Sequence, residues 1–457
     1  MDNSKVYVGL DIGTTSIKTV ICENVKGQLK VVGVGVEPSD GLNRGVIVDI
    51  DKTAKAISAA VDIASQQSGV RVSDLVVGLP ANYLQTKNVH GMITIASQGQ
   101  SHEIINDDVV DVARATLAQN VPAEREVIDL VPQEFTVDGF NGIKDPRGMV
   151  GVRLEMQALL YSGPTTIVHN TKKAVEKAGF KIRDMVVSPI ATGFNLLSDG
   201  EQDFGTLVID MGGGQTTASI IHDHQLKYTY VDPEGGYYIT KDISTVLNTS
   251  LRNAEQLKKD HGYADSRMAH EDVQLEVAKV GQSEPGTCSE KYLSEIIEAR
   301  VRQIFKRISD RLEAIHAPKL PGGVILIGGV SAMPGVKELA TEYFAGTVKQ
   351  FVPQQMGVRH AGYDVVLSLA MYESRLNDVE RLIKQIVRED DGVITQPHPR
   401  ARKVEPKRPN RNQFVHPQQP TNRPAPSKNE HVEKKRQRND APKKSGGIRG
   451  FFSNFFD

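Results

Sequence analysis

Two apolar runs along the chain break off in the same way. Leu207-Val208-Ile209 ends at Asp210, turns through Gly212-Gly213-Gly214-Gln215, passes hydroxyls at Thr216 and Thr217, and resumes as an apolar run from Ala218 to Ile221. Near the start, Val8-Gly9-Leu10 ends at Asp11, turns at Gly13, passes Thr14 and Thr15, and resumes at Ile17 ahead of Lys18. Each copy reads as strand, tight turn, strand. Glycine lets the backbone adopt φ > 0 and approach a ligand closely. A Walker loop would need Gly-Lys-Ser/Thr leading into a helix, and neither copy has it.

The same patterning extends outward from both copies. After the first, a third strand is expected over Leu29–Val36, a helix over Asp51–Ser68 with Ala54, Ile57, Val61 and Ala64 on one face, and a strand over Asp74–Pro80. From about Leu84 to Ser162 the order changes to strand, helix, strand, strand (Asn88–Ala96, Asp107–Gln119, Val127–Val137, Arg153–Leu160). A helix over Thr165–Ala178, a strand over Ile182–Val187 and a helix over Ser188–Leu197 lead into the second copy. Beyond it, Gly235–Asp242, which includes Gly236 and Lys241, leads into a helix, and Glu255 and Lys258 share the face of the next helix. Glu290–Ile315 is a long amphipathic helix whose stripe is explained by core packing. Val324–Gly335 reads as strand, glycine turn and helix start, with backbone at Gly328, Gly329 and Val330 free to lie against a flat ring.

Charge changes the picture at the C-terminus. Residues 400–457 hold 15 Lys and Arg against 5 Asp and Glu, so a whole-chain net of −1 divides into +10 for the tail and −11 for the rest. Nine prolines between Pro397 and Pro442, with Asn, Gln, Lys and Arg dominating, give a composition that cannot bury enough apolar surface to fold. The chain then closes on Ile448, Phe451, Phe452, Phe455 and Phe456, spaced i, i+3, i+4, i+7 and i+8. That is a full helical apolar face with no core of its own, suited to the surface of an anionic bilayer. No aromatic interleaving or binding motif points to nucleic acid. Cys22 and Cys288 have no metal or redox spacing, which favours a reducing compartment. Met1–Lys5 has no signal core and no run of about 18 apolar residues occurs, so a peripheral place on the inner membrane face is expected.

Two facing hairpins can hold one polyphosphate, with turn N–H groups on the phosphates and a carboxylate from each on Mg²⁺. This duplicated core resembles that of the actin, Hsp70 and sugar-kinase superfamily. With Asp145-Pro-Arg-Gly-Met-Val-Gly-Val-Arg-Leu154 in the insertion and Ser188-Pro-Ile-Ala-Thr-Gly193 before the second hairpin, the chain is similar to the FtsA family of actin-like bacterial division proteins.

The resemblance implies an α/β, actin-like fold, a duplicated ribonuclease-H-like two-lobed ATPase with an inserted α+β subdomain. Its expected parts are a first lobe (1–83 and 163–197), the insertion (84–162), a second-lobe core (198–236 and 316–388) and an outer subdomain (237–315). A disordered linker (389–445) and an amphipathic helix (446–457) would follow.

It implies ATP and Mg²⁺ as ligands, with Asp11 and Asp210 on the metal. Phosphates would sit on Gly13–Thr15, Lys18 and Gly212–Thr216, and the nucleoside near Gly235, Gly236, Lys241, Glu255, Lys258 and Gly328–Val330. Implied partners are the tubulin-like FtsZ, further copies in a polymer, and later division proteins through the insertion. Catalytic residues are not assigned. Where efficient ATPases of the superfamily carry Glu or Gln at the start of the connecting helix, this chain has Ser188-Pro189, so hydrolysis is expected to be slow at most. The alternatives are an actin-like pilus or secretion assembly ATPase, or a small-molecule kinase of the same fold.

Overall fold

The computed structural model describes residues 5–95, 101–118 and 121–389. The linker and terminal helix expected from the sequence lie, from residue 390 on, outside the described residues. In chain order the first part comprises strands β1 (Val6–Ile12), β2 (Ser16–Val25) and β3 (Gln28–Pro38), a short hairpin β4 (Leu42–Asn43) and β5 (Val46–Ile47), helix α1 (Ile50–Ser68) and β6 (Asp74–Leu79). The insertion follows as β7 (Gln85–Thr94), β8 (His102–Glu103), α2 (Asn106–Leu117), β9 (Arg125–Val137), β10 (Phe140–Ile143), β11 (Val150–Gly151) and β12 (Arg153–Pro164). Helix α3 (Thr165–Lys177), β13 (Lys181–Val187) and α4 (Ser188–Leu196) return to the first sheet.

The second half runs α5 (Asp199–Phe204), β14 (Thr206–Met211), β15 (Thr216–His222), β16 (Gln225–Asp232), α6 (Gly236–Val246) and α7 (Leu251–His261). It continues with β17 (Gln274–Val277), β18 (Gly286–Ser289), α8 (Glu290–Ala314), β19 (Val324–Ile327), α9 (Val336–Ala340), β20 (Val348–Gln350), α10 (Asp364–Arg375) and α11 (Asp378–Glu389).

The two main sheets have one topology. The first is ordered β3-β2-β1-β6-β13 and the second β16-β15-β14-β19-β20. In both, the first three strands in sequence are antiparallel neighbours, and the outer two add in parallel. Register makes the repeat exact at the chemistry: Asp11 pairs across with Lys18, and Asp210 with Thr217.

Apolar alternation on the sheets and 3.6-residue stripes on the helices decide the layers. Ala56, Ile57, Ala60 and Val61 of α1 with Ala174 and Val175 of α3 cover one face of the first sheet. Val366, Leu367 and Ala370 of α10 cover the other. Helix α1 has a clean start and stop, because the Asp49 carboxylate accepts from Lys52 N and Gly69 closes it at φ 70. The insertion is a separate antiparallel sheet, β10-β9-β12-β7, cored by α2 and by Val379, Ile383 and Ile386 of α11.

The helix start expected within Val324–Gly335 falls just past it. A short 3-10 turn, Gly329–Ala332, intervenes, and α9 starts only at Val336. Pro334 disfavours helical backbone at Met333, and Gly335 turns the chain at φ 87.

Candidate functional site

The β1–β2 and β14–β15 turns face each other across a cleft of about 1200 Å³. Both close with the same bond: Gly13 N donates to Ser16 O at 3.2 Å, and Gly212 N to Gln215 O at 3.0 Å. They also touch. A Cβ on Gly214 would stand 2.3 Å from Thr14 Oγ1, and one on Gly213 would stand 2.5 Å from Thr15 Oγ1. The glycines of the second turn are therefore the room that the threonines of the first occupy.

The two aspartates differ in their surroundings. Lys18 Nζ lies 3.4 Å from Asp11 Oδ2, both side chains about one-fifth exposed. Asp210, whose register partner is Thr217, has no ion-pair partner among the described residues. Burial pushes its carboxyl up to about 7, the charge of Asp11 adds to this, and Lys18 opposes it. A third carboxyl, Asp364 at the start of α10, is buried and accepts from Gly328 N at 3.3 Å, while its Oδ1 has no hydrogen-bond partner. Burial pushes it up to about 8, and Asp210 again adds to the shift.

Two carboxylates that line the cleft beside turns rich in N–H groups, Asp11 and Asp210, suit Mg²⁺ shared with phosphate. Mg²⁺ commonly takes only one or two protein carboxylates and completes its shell with phosphate and water. Asp11 and Asp210 are the pair that would hold it.

Most of the residues expected at the site line this one cleft: Asp11, Gly13–Thr15, Lys18, Asp210, Gly212–Gln215, Gly236, Glu255, Lys258 and Gly328–Val330. Three expected residues do not line it. Thr216 is buried, its Oγ1 donating to Glu234 O at 2.9 Å. Gly235 lies against the second turn, where a Cβ would stand 2.4 Å from Gly212 O. Lys241 is exposed on α6. Period and spacing cannot tell which side of a wall a residue takes.

Glu255 and Lys258 are a pair at 2.6 Å, but Lys258 is also tied to Gly236 O at 3.1 Å and Thr240 Oγ1 at 2.8 Å. An ammonium has three donors, so all are used. Lys258 fixes α6 to α7 and presents Glu255 to the cleft. Gly328 sits at φ 86 where a Cβ would meet Asp210 Oδ1 at 2.4 Å, so only glycine fits, whereas Gly329 faces open space.

Sequence reasoning missed Asp364, Arg44, Tyr238 and His360. Asp364 and His360 stand far along the chain from either hairpin, and Arg44 and Tyr238 bear no phosphate-motif spacing. The Asn43-Arg44-Gly45 turn was the one available signal.

Comparison with known proteins bears on the same residues. Residues 207–368, which contain the second hairpin and its glycine turn, match the family model for cell division protein FtsA. Residues 81–162 match the model for the SHS2 domain inserted in FtsA. The chain is 47% identical over 459 aligned positions to cell division protein FtsA of Enterococcus faecalis, covering 100% of both chains.

The chain belongs to the FtsA family.

It is 51% identical over 386 positions to the FtsA of Enterococcus hirae, covering 84% of this chain and 86% of that one. Membership makes it a cell division protein with an actin-like fold carrying the SHS2 insertion. A solved PilM-PilN type IV pilus biogenesis complex matches with a TM-score of 0.56 at 16% identity, over 81% of this chain and 99% of that one. That likeness concerns the fold alone.

Proposed function

We propose that this FtsA-family member binds Mg·ATP between its two hairpins, polymerises, and holds FtsZ to the inner face of the cell membrane at the division site. The observation that carries the nucleotide part is the pair of interlocked turns with Asp11 and Asp210 beside them. Backbone N–H groups at Gly13–Thr15 and Gly212–Gln215 would hold the phosphates. Gly328–Val330 and Glu255 would border the nucleoside. Bound Mg²⁺ supplies charge neutralisation for the polyphosphate. Ser188 lines the cleft at the start of α4, with no carboxylate or carboxamide there to orient a water. Turnover on this reading is slow, and ATP acts chiefly as a ligand that closes the lobes. The lobe, insertion and outer-subdomain boundaries given above remain part of this proposal, as does contact of later division proteins with the insertion.

The membrane part rests on the sequence of the tail. Among the described residues no helix is long and apolar enough to cross a membrane. Five large apolar groups between Ile448 and Phe456 supply roughly 7–15 kcal/mol of gross burial. Ordering about ten residues costs ~1–2 kcal/mol each. A single tail therefore binds weakly, and a polymer with many tails binds tightly through high effective concentration.

Liposome co-sedimentation of the full chain and of a tail-less form, with and without ATP and FtsZ, tests this reading. The full chain should bring FtsZ down with anionic vesicles, more so with ATP, and Phe452→Glu should release it while leaving ATP binding intact. Retention of Phe452→Glu on anionic vesicles at physiological salt would remove the helix as anchor.

A further inference from the structure

The β4–β5 hairpin leaves a two-residue loop, Arg44 at φ 50 and Gly45 at φ 75. Both positions are left-handed, as a type I′ turn requires, and the residues that relax such a turn are Asn-Gly. Arginine at the first position is strained. Strain at a cleft mouth points to a role for the side chain.

The tip is seated between the two phosphate turns. Gly45 N donates to Thr14 Oγ1 of the first at 2.9 Å. A Cβ on Gly45 would stand 2.5 Å from Gln215 Oε1 of the second, and that oxygen is buried without a hydrogen-bond partner. Arg44 itself reaches the second lobe. Its Nε donates to the Tyr238 hydroxyl at 2.8 Å, and its guanidinium carbon lies 5.5 Å from the ring centroid. Tyr238 is in α6, which is seated on the second turn by Gly236 N to Gly212 O at 3.0 Å and Tyr237 N to Gly213 O at 2.7 Å.

The lysines on the cleft wall are committed. Lys18 faces Asp11 at 3.4 Å, Lys258 faces Glu255 at 2.6 Å, and Lys259 faces Glu255 at 3.2 Å. Arg44 lines the cleft and has no carboxylate partner among the described residues. A guanidinium forms bidentate bonds to phosphate oxygens, and its η nitrogens are left for them.

We propose that the Leu42–Ile47 hairpin is a phosphate-reading strap, in which Arg44 binds the terminal phosphate of a nucleoside triphosphate held between the turns and so separates triphosphate from diphosphate. The proposal rests on the nucleotide reading above.

Its test is an equilibrium titration of the full chain with Mg·ATP and with Mg·ADP, comparing wild type, Arg44→Asn and Arg44→Lys. Asparagine relaxes the turn, so Arg44→Asn should melt at or above the wild-type temperature. It should lose about tenfold or more in ATP affinity, with ADP affinity changed less than about threefold. Arg44→Lys keeps the charge without the fork and should retain part of the ATP preference. A wild-type ratio of ATP to ADP affinity in Arg44→Asn overturns the strap, as does an equal loss of both nucleotides in either variant. Wild-type protein that binds neither nucleotide overturns the nucleotide reading itself, and the strap with it.

Discussion

Two places in this molecule hold the same charge inventory, three carboxyls and one lysine, and use it differently. At the cleft these are Asp11, Asp210 and Lys18, with Asp364 buried close to Asp210. Where α11 meets the insertion and the first sheet, they are Asp129, Asp184, Glu373 and Lys384. In the second set Lys384 lies 2.5 Å from Asp129 and 3.1 Å from Asp184, with the three side chains at most 5% exposed. Its Nζ also sits 5.3 Å over the Tyr372 ring. Burial opposes the charge on Lys384, but Asp129 and Asp184 outweigh it and hold its pKa above the ordinary value. The remaining carboxyl, Glu373, is pushed up to about 7 by burial and then by Asp184. The excess negative charge of this dry set is relieved by a proton.

The cleft set is open. Its lysine touches one carboxylate, at 3.4 Å, and the other two acids have no ion-pair partner among the described residues. Asp11 and Asp210 face a space large enough for a ligand. A closed set of acids around a saturated lysine pins three parts of the chain together, one strand from the insertion (β9), one from the first sheet (β13) and the last described helix (α11). On the proposed reading, an open set with acids beside N–H-rich turns is where a cation would bind. Charge count does not separate a pin from a site; pairing and access do.

The comparison breaks most visibly at the two lysines. Lys384→Ala leaves two buried carboxylates unpaired and should cost about 3–5 kcal/mol in denaturant unfolding. Lys18→Ala removes a partly exposed pair and should cost under about 1 kcal/mol. Equal losses would contradict the distinction.

Next comes pH. The folded pKa of Glu373 lies above its ordinary 4.5, at about 7. Its contribution to stability is therefore fully present below pH 4.5 and is lost as pH rises to about 7. Wild type should lose roughly 3 kcal/mol from this group across that window, at 1.36 kcal/mol per unit. Glu373→Gln should remove that slope and be the more stable protein at pH 8. A slope unchanged in the variant would mean that another group carries it.

The smallest effect belongs to Asp364→Asn. Burial holds this carboxyl's pKa up, at about 8, and the amide oxygen of asparagine can still accept from Gly328 N. Stability should move by less than about 0.5 kcal/mol, and Mg·ATP affinity by less than about threefold. A large loss of Mg·ATP affinity would place Asp364 among the metal ligands.

How much of this was legible in the sequence differs between the same two places. The cleft was legible because its chemistry is local: each aspartate sits one strand and one turn from its glycines and threonines. The repeat of that pattern around Asp11 and Asp210 marked the two lobes. The inserted sheet was legible from its change of period. The pin was not, because Asp129, Asp184 and Lys384 are ordinary in their own strands and helix, and only packing brings them together. For the same reason the small hairpin carrying Arg44 went unseen, its two-residue strands being too short to show a period. That Lys241, Gly235 and Thr216 do not line the cleft was not legible either, because a motif marks a turn but not which neighbours face the open space.

The central claim is that the open set is a site for Mg²⁺ and a polyphosphate. Calorimetric titration of Mg·ATP into wild type, Asp11→Ala and Asp210→Ala tests it most directly. The prediction is tight Mg²⁺-dependent binding by wild type and a loss of about tenfold or more in each variant, with both variants folded. Unchanged Mg·ATP affinity in both variants would contradict it.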